Sequence, residues 1–350
     1  MIRSNEEELR RAGDHREPAC YTHHVETRRP TNPAAEEILG LYFPVLDHGF
    51  VSLVDYMGSD EDVERAARVS YGYGTRKTSQ TRGLIRYLRR HKHTTPSEMV
   101  ELKFHCAMPV FVARQWIRHR TASVNEYSGR YSLLPLLYYR PERDQLQAQS
   151  ATNRQGRSGK PLDAIYDDAM TRWERLRAEA SSTYEWLVQE DVARELARID
   201  LPLSVYTQWY WKIDLHNLLH FLTLRVDAHA QYEIRAFGVV MAGMLQRVAP
   251  LCFEAWLDYD VMGSALSRGE LAALRRLIRV RDGGIEGTAE RVTAAELEKL
   301  GLAKREVEEL LAKLAAAPAT PDFALDLSRA RTPEAFAREM EAAVPAVDRS

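Results

Sequence analysis

The sequence predicts an α+β fold, with strands early in the chain, long helices after them and a helical C-terminal extension. Three observations carry this. "VELKFHCAM" puts Val100, Leu102, Phe104, Cys106 and Met108 on one side and Glu101, Lys103 and His105 on the other, the period of two that marks a half-buried strand. From Ile165, apolar residues return every three or four positions through Ala169, Trp173, Leu176, Ala180, Tyr184 and Leu187, the stripe of a long amphipathic helix. After residue 262 the composition turns charged and Ala-rich. There "SRGE" (Ser267 with Glu270) and "TAAE" (Thr293 with Glu296) are capping-box patterns ahead of Leu-rich runs.

The elements follow in order. Residues 1–45 are polar, carry His23 and His24 and the Pro-containing "RRPTNPAAEE", and read as an N-terminal arm. "GFVSLVDYMG" alternates like a strand. "RRHKHTTPSEM" places His91, His93, Thr95 and Glu98 at a helix end followed by a Pro turn. Pro109 can open a helix because its missing N–H is not needed there, so "PVFVARQWIRHR" is predicted helical and entered directly from the strand. "SVNEYSGR" has turn character, and residues 131–161 read as irregular connection. The long helix is expected to end near "ARIDLPLS", where Pro202 restricts its neighbour. Residues 203–250 are expected to be helical, apolar and buried. Asp227 would cap a helix starting at "AHAQYEI", leaving Arg225 at a junction. The domain organisation expected is an arm (1–45), a catalytic domain (46–262) and a helical extension (263–350).

Composition narrows the function. Lys and Arg number 48 against 50 Asp and Glu, a net charge of −2 that disfavours a general nucleic-acid coat and leaves room only for a local basic patch. Cys20, Cys106 and Cys252 form no CxxC pair, so a reducing, cytoplasmic setting fits better than a disulfide framework. The charged N-terminus lacks the apolar run of a signal peptide, and no stretch approaches the about 18 apolar residues of a membrane span.

The chemistry concentrates in "RQWIRHRTASVNEYSGR", residues 114–130. If the helix ran through it, Gln115, Arg118 and His119 would share a side while Arg120 pointed elsewhere. Planar guanidinium forks, the Ser128 hydroxyl and a close backbone approach at Gly129 are the inventory of a phosphate pocket. A solvated basic face and a strip for RNA or DNA remain alternatives on these residues alone. A second concentration is "KIDLHNLLHFLTLRVDAHAQ". His216 and His220 are four apart, but no third ligand stands at motif spacing, so no metal site is expected. Arg225 interrupts an apolar run and needs either a neighbouring acid such as Asp227 or an anionic or carbonyl-bearing ligand. No Ser/His/Asp order or activated cysteine is evident, which points to chemistry carried by a cofactor.

"RHRTASVNEYSGR" (118–130) resembles, position for position, the RHRxxSxNxxSxR signature of the flavin-dependent thymidylate synthases. "HKHTTPSEM" and the 197–234 segment resemble further parts of that family, and the likeness spans about residues 45–260. It implies an antiparallel sheet flanked by long helices, a homotetramer with active sites shared between subunits, and no nucleic-acid or membrane partner. The implied reaction is methylation of dUMP to dTMP with 5,10-methylenetetrahydrofolate as carbon donor, FAD as cofactor and NADPH as reductant. Carried onto this chain, dUMP would meet Gln115, Trp116, Ile117, Arg118, Glu126, Tyr127, Ser128, Gly129, Arg130, Arg198 and Arg225. FAD would meet Thr95, Arg118, His119, Arg120, Glu126, Asp214, Leu215, His216 and His220. The resemblance gives Arg130, Arg198 and the Ser128–Gly129 backbone the phosphate. It gives Arg225 the uracil, with activation at C5, and His93 assistance to electron or proton transfer near the flavin.

Overall fold

A computed structural model describes residues 31–69, 81–151, 156–315 and 320–345 of the protein. The expected arm, with Cys20, His23 and His24, lies outside the described residues as far as residue 30. Helix α1 (Pro33–Glu36) leads into β1 (Tyr42–Val45), so the sheet begins inside the stretch expected to be an arm, ahead of residue 46. Strands β2 (Gly49–Met57) and β3 (Glu101–Pro109) are those expected from alternation, and α2 (Asp60–Arg68) and α3 (Thr81–Arg90) lie between them. On β3 the alternation is realised: Leu102, Phe104, Cys106 and Met108 are fully buried and Glu101, Lys103 and His105 only partly.

Helix α4 (Val110–Trp116) follows β3 without a loop, through Pro109 at φ −60° and ψ 144°. It stops four residues short of the expected end, so Arg118, His119 and Arg120 leave the helix. The expected turn then holds a strand, β4 (Ser123–Glu126), on the open edge of the sheet. All four of its residues are exposed, so no apolar alternation marks it in the sequence. Within the connection expected to be irregular, β5 (Gln147–Gln149) and β6 (Arg157–Pro161) form a small hairpin.

The long amphipathic helix is α5 (Asp163–Gln189), which ends well before Pro202. Asp191 adopts the left-handed conformation at φ 59°, and Val192 N–H donates to Leu187 O at 2.9 Å, the C-terminal closure that a local polar residue can adopt. Only Tyr166, Met170 and Tyr184 are buried along it; Ile165, Trp173, Leu176 and Trp186 remain exposed. Its apolar stripe therefore lacks a cover within the described residues.

After α6 (Arg194–Ala197) comes the largest departure from expectation: residues 206–214 are a strand, β7 (Tyr206–Asp214), where helix was expected. "YTQWYWKID" is rich in aromatic and β-branched residues. Trp209, Trp211 and Ile213 alternate with the less buried Gln208, Tyr210 and Lys212. β7 pairs along its whole length with β3, from Glu101 opposite Asp214 to Pro109 opposite Tyr206, and its other edge takes β4. The sheet is antiparallel in the order β1-β2-β3-β7-β4. Helix α7 (Leu215–Arg225) leaves β7 directly, with Asp214 capping it by accepting from Asn217 N–H at 2.9 Å. Helices α8 (Tyr232–Val248) and α9 (Pro250–Trp256) cover the buried face of the sheet together with α7.

Beyond residue 262, α10 (Arg268–Leu277), α11 (Ala294–Lys299) and α12 (Lys304–Ala315) surround a small core of Ala273, Leu297, Leu302, Val307 and Leu310. Both expected capping boxes are formed. A hairpin of β8 (Ile278–Arg281) and β9 (Gly284–Gly287) interrupts what was expected to be purely helical. Residues 320–345, with α13 (Pro333–Ala342), return to the sheet. Phe323 packs edge-on against Phe253, Arg331 and Tyr42 exchange two backbone hydrogen bonds of 2.9 Å, and Phe336 packs on Phe50. Farther on, Ala343 O accepts from Leu136 N–H at 3.1 Å, and Val344 joins the Leu133–Tyr184–Ala197 cluster.

Candidate active site

Two direct strand-to-helix junctions bring the site together. β3 passes into α4 and β7 into α7, and the strands are neighbours, so the ends of the two helices meet over the sheet. Trp116 fixes α4: its fully buried ring lies 5.1 to 5.7 Å from the rings of Trp209, Trp211, Phe221 and Phe237. Trp116→Ala would cost about 3–5 kcal/mol of stability. Trp116 and Leu215 are buried core side chains, so a ligand could meet them only through their backbone.

Three residues past that helix, the His119 ring packs edge-on to Phe221 at 4.8 Å and accepts at Nε2 from Arg225 Nε at 3.1 Å. Burial, the Arg225 charge and His220 together push the His119 pKa down to about 4, which leaves its imidazole neutral and able to accept. Burial also pulls the Arg225 pKa below its usual range. Asp227, the acid that could have paired with Arg225, instead accepts from His229 N–H at 2.7 Å and lies 2.9 Å from His229 Nδ1. Nor does Asp227 cap the next helix: Gln231 occupies that position, ahead of Tyr232.

The arginine-rich strip divides after β4. Glu126 accepts from Thr207 Oγ1 at 2.8 Å, while Tyr127 donates its hydroxyl to Leu133 O at 2.6 Å and its N–H to Gln208 O at 2.9 Å. These bonds pin the Ser128–Gly129–Arg130 turn, where Arg130 N–H reaches Ser128 Oγ at 3.3 Å. A Cβ on Gly129 would lie 3.0 Å from the Leu134 side chain and 3.2 Å from Arg198 Cδ. Any larger residue at 129 would crowd Arg198, at the end of α6, against the turn. Arg130 and Arg198 thereby flank one short stretch of backbone. Arg118, Arg120 and Ile117 are exposed and Gln115 partly so, the last donating its amide to Gln231 Oε1.

A third neighbourhood lies beside α7. His216 and His220 line a cavity of about 200 Å³ with His93, Thr94, Ser97, Thr223 and Cys252. A groove of about 790 Å³ adjoins it through Leu88, His93 and Thr94 and is also lined by Thr95. His216 Nδ1 is buried without a hydrogen-bond partner. Asp214 lies one residue before α7, with both carboxylate oxygens committed to Asn217. Among the described residues no three His, Cys, Asp or Glu side chains are placed to hold a metal ion. The expected residues thus fall into three groups: an arginine-flanked turn, the Arg225–His119 pair, and a histidine-lined hollow. Sequence reasoning missed Gln231, Glu233, Tyr139 and Arg157, which bond one another behind Gln115. The one local signal was an acid, Glu233, opening the apolar run of α8.

The family model described as "Thymidylate synthase complementing protein" matches residues 52–251. A flavin-dependent thymidylate synthase of Gluconobacter oxydans is 53% identical over 82% of this chain and 92% of its own length. The chain belongs to the flavin-dependent thymidylate synthases. A synthase of that name from Ehrlichia ruminantium is 48% identical over 83% of this chain and 93% of its own. Among solved structures, the UMP/dUMP methylase PolB of Streptomyces cacaoi, bound with 5-Br UMP, superposes with a TM-score of 0.57 at 32% identity. It covers 63% of this chain and 99% of its own. The family match ends at residue 251, so the small core of α10–α12 and the returning segment 320–345 lie outside it. No helix among the described residues is long and apolar enough to cross a membrane.

Proposed function

We propose that this synthase methylates dUMP to dTMP, taking the one-carbon unit from 5,10-methylenetetrahydrofolate and two reducing equivalents from NADPH, with FAD as cofactor. The carbon leaves the folate as a methylene and appears as the methyl at C5 of the pyrimidine. NADPH and one proton supply the two hydrogens that balance the equation, and C5 gives up its own hydrogen as a proton. When bound, the flavin supplies the redox chemistry that joins these steps.

The observation that carries this reading is the pairing of Arg225 with a neutral histidine rather than an acid. Its charge is left uncompensated in a half-buried place, where a fixed cation acts strongly on developing negative charge. Facing a uracil, it favours loss of the N3 proton and raises electron density at C5. His119 holds the guanidinium by its Nε, leaving the other N–H groups for the ligand. Arg130, Arg198 and the Ser128–Gly129 backbone hold the phosphate, and the exposed Arg118 and Arg120 are free to meet the anionic dinucleotide. Glu126, Tyr127, Ile117 and the backbone of Trp116 complete the nucleotide side. His216, His220, Thr95, Asp214 and the Leu215 backbone form the cofactor side. The fit of the flavin is supported by the hollow beside α7, which His216 and His220 line together with His93. His93 lines both hollows, which suits assistance to proton or electron transfer.

The protein is read as a cytoplasmic homotetramer that shares its sites between subunits, and the exposed apolar stripe of α5 supports its burial in an assembly. Flavin absorbance of the purified protein, followed by NADPH oxidation and dTMP formation with and without dUMP, tests the activity. A colourless protein that takes up no added FAD would overturn it. Light scattering tests the assembly, which a monomeric mass at working concentration would sink.

A further inference from the structure

Glu233 is a carboxylate at 1% exposure that the reaction above does not use. It accepts from Tyr139 Oη at 3.1 Å and from Arg157 Nη2 on one oxygen, and from Gln231 Nε2 at 2.8 Å on the other. A carboxylate has nothing to donate, so Gln231 must turn its NH2 group toward Glu233 and its carbonyl oxygen away. That oxygen accepts from Gln115 Nε2. The Gln115 amide is then fixed in turn: its NH2 is spent on Gln231, and its Oε1 is left for a ligand. One buried charge thereby sets the direction of two neutral amides that could otherwise flip.

We propose that Glu233 and Gln231 are positioning residues that lock Gln115 with its acceptor toward the nucleotide. Gln115 then selects a donor group, a sugar hydroxyl, and repels a phosphate oxygen. The inference rests on the dUMP reading above. It goes further by assigning the polarity of one contact and the residues that enforce it.

Equilibrium titration of dUMP into the flavin-loaded tetramer tests it. In Glu233→Gln the new amide can satisfy Tyr139 and Arg157 with its oxygen and present NH2 to Gln231. Gln231 and Gln115 then both turn over, and a donor faces the site. Binding of dUMP is expected to weaken at least about tenfold, with kcat at saturating dUMP within about threefold of wild type. The double variant Glu233→Gln/Gln231→Glu puts an acceptor-only side chain next to Gln115 and forces the original orientation. It should recover affinity to within about threefold of wild type although the ion pair to Arg157 stays lost. An unchanged affinity in E233Q, or a double variant as weak as E233Q, overturns the inference. If E233Q does not fold, Gln231→Met, which leaves Glu233 with Tyr139 and Arg157, should still weaken dUMP about fivefold, and no change there overturns it equally. Wild-type protein that holds flavin but binds no dUMP would instead overturn the underlying reading, and this inference with it.

Discussion

Arg225 and the Ser128–Arg130 turn set the same cation in opposite surroundings, which the proposed reading turns to opposite uses. Arg225 is half-buried, held by a neutral histidine and set at the end of a helix whose other side is core. Arg130 is exposed and leans on the neighbouring Tyr131 ring at 5.4 Å, while Arg198 lies close against the turn at residue 129, where a Cβ would crowd it. A guanidinium in a dry place acts as a fixed field, whereas arginines in a wet place act as a clamp that closes on an anion already in contact. Charge alone does not distinguish these roles; the surroundings do.

Substitutions separate the two. Arg225→Ala removes the field and should lower kcat for dTMP formation by about 100- to 1,000-fold while leaving the flavin spectrum in place. Undiminished turnover would refute the activating role. Gly129→Ala crowds Leu134 and Arg198 at the turn and should raise the KM for dUMP about tenfold with little change in kcat, the mark of lost uniform binding. An equal fall in kcat would mean that the turn takes part in the chemical step. Arg198→Ala should weaken dUMP about fivefold in dilute buffer and less near 1 M salt, where screening already weakens a partly exposed contact. The smallest effect concerns pH. The folded-state pKa of His119 is lowered, so between its usual 6.5 and about 4 the unfolded chain holds a proton that the folded chain lacks. His119 therefore contributes stability that is present at pH 7 and lost as the pH falls through that window. Urea midpoints of His119→Gln should fall less between pH 7 and pH 5 than those of the wild type, and parallel curves would place the pressure on the histidine elsewhere.

How much of this was legible in the chain depends on where each signal lay. β3 and α5 declare themselves because one side is apolar and the other is not. β7 hides because its aromatic residues fall on both sides, so apolar bulk obscures a period of two. β4 hides for the opposite reason, having no buried side at all. At the site, the motif named the arginines but not what holds them. Local proximity suggested Asp227 for Arg225, whereas the partner is His119, brought in by pairing of strands distant in sequence. The Gln115–Gln231–Glu233 relay is likewise a contact between α4 and the start of α8, and no window of sequence contains it.

The returning segment 320–345 has a consequence for how the protein is made. The loop that follows the Ser128–Arg130 turn is tied by Leu136 N–H to Ala343 O, and the cluster behind Arg198 takes in Val344. During synthesis the ribosome releases every motif residue long before it releases this tie. A chain stalled or clipped near residue 320 would thus carry the complete family signature with that loop still unfastened. The segment around Ala343 and Val344 has to emerge before the loop behind the Ser128–Arg130 turn can be fastened, so this part of the molecule closes late in synthesis.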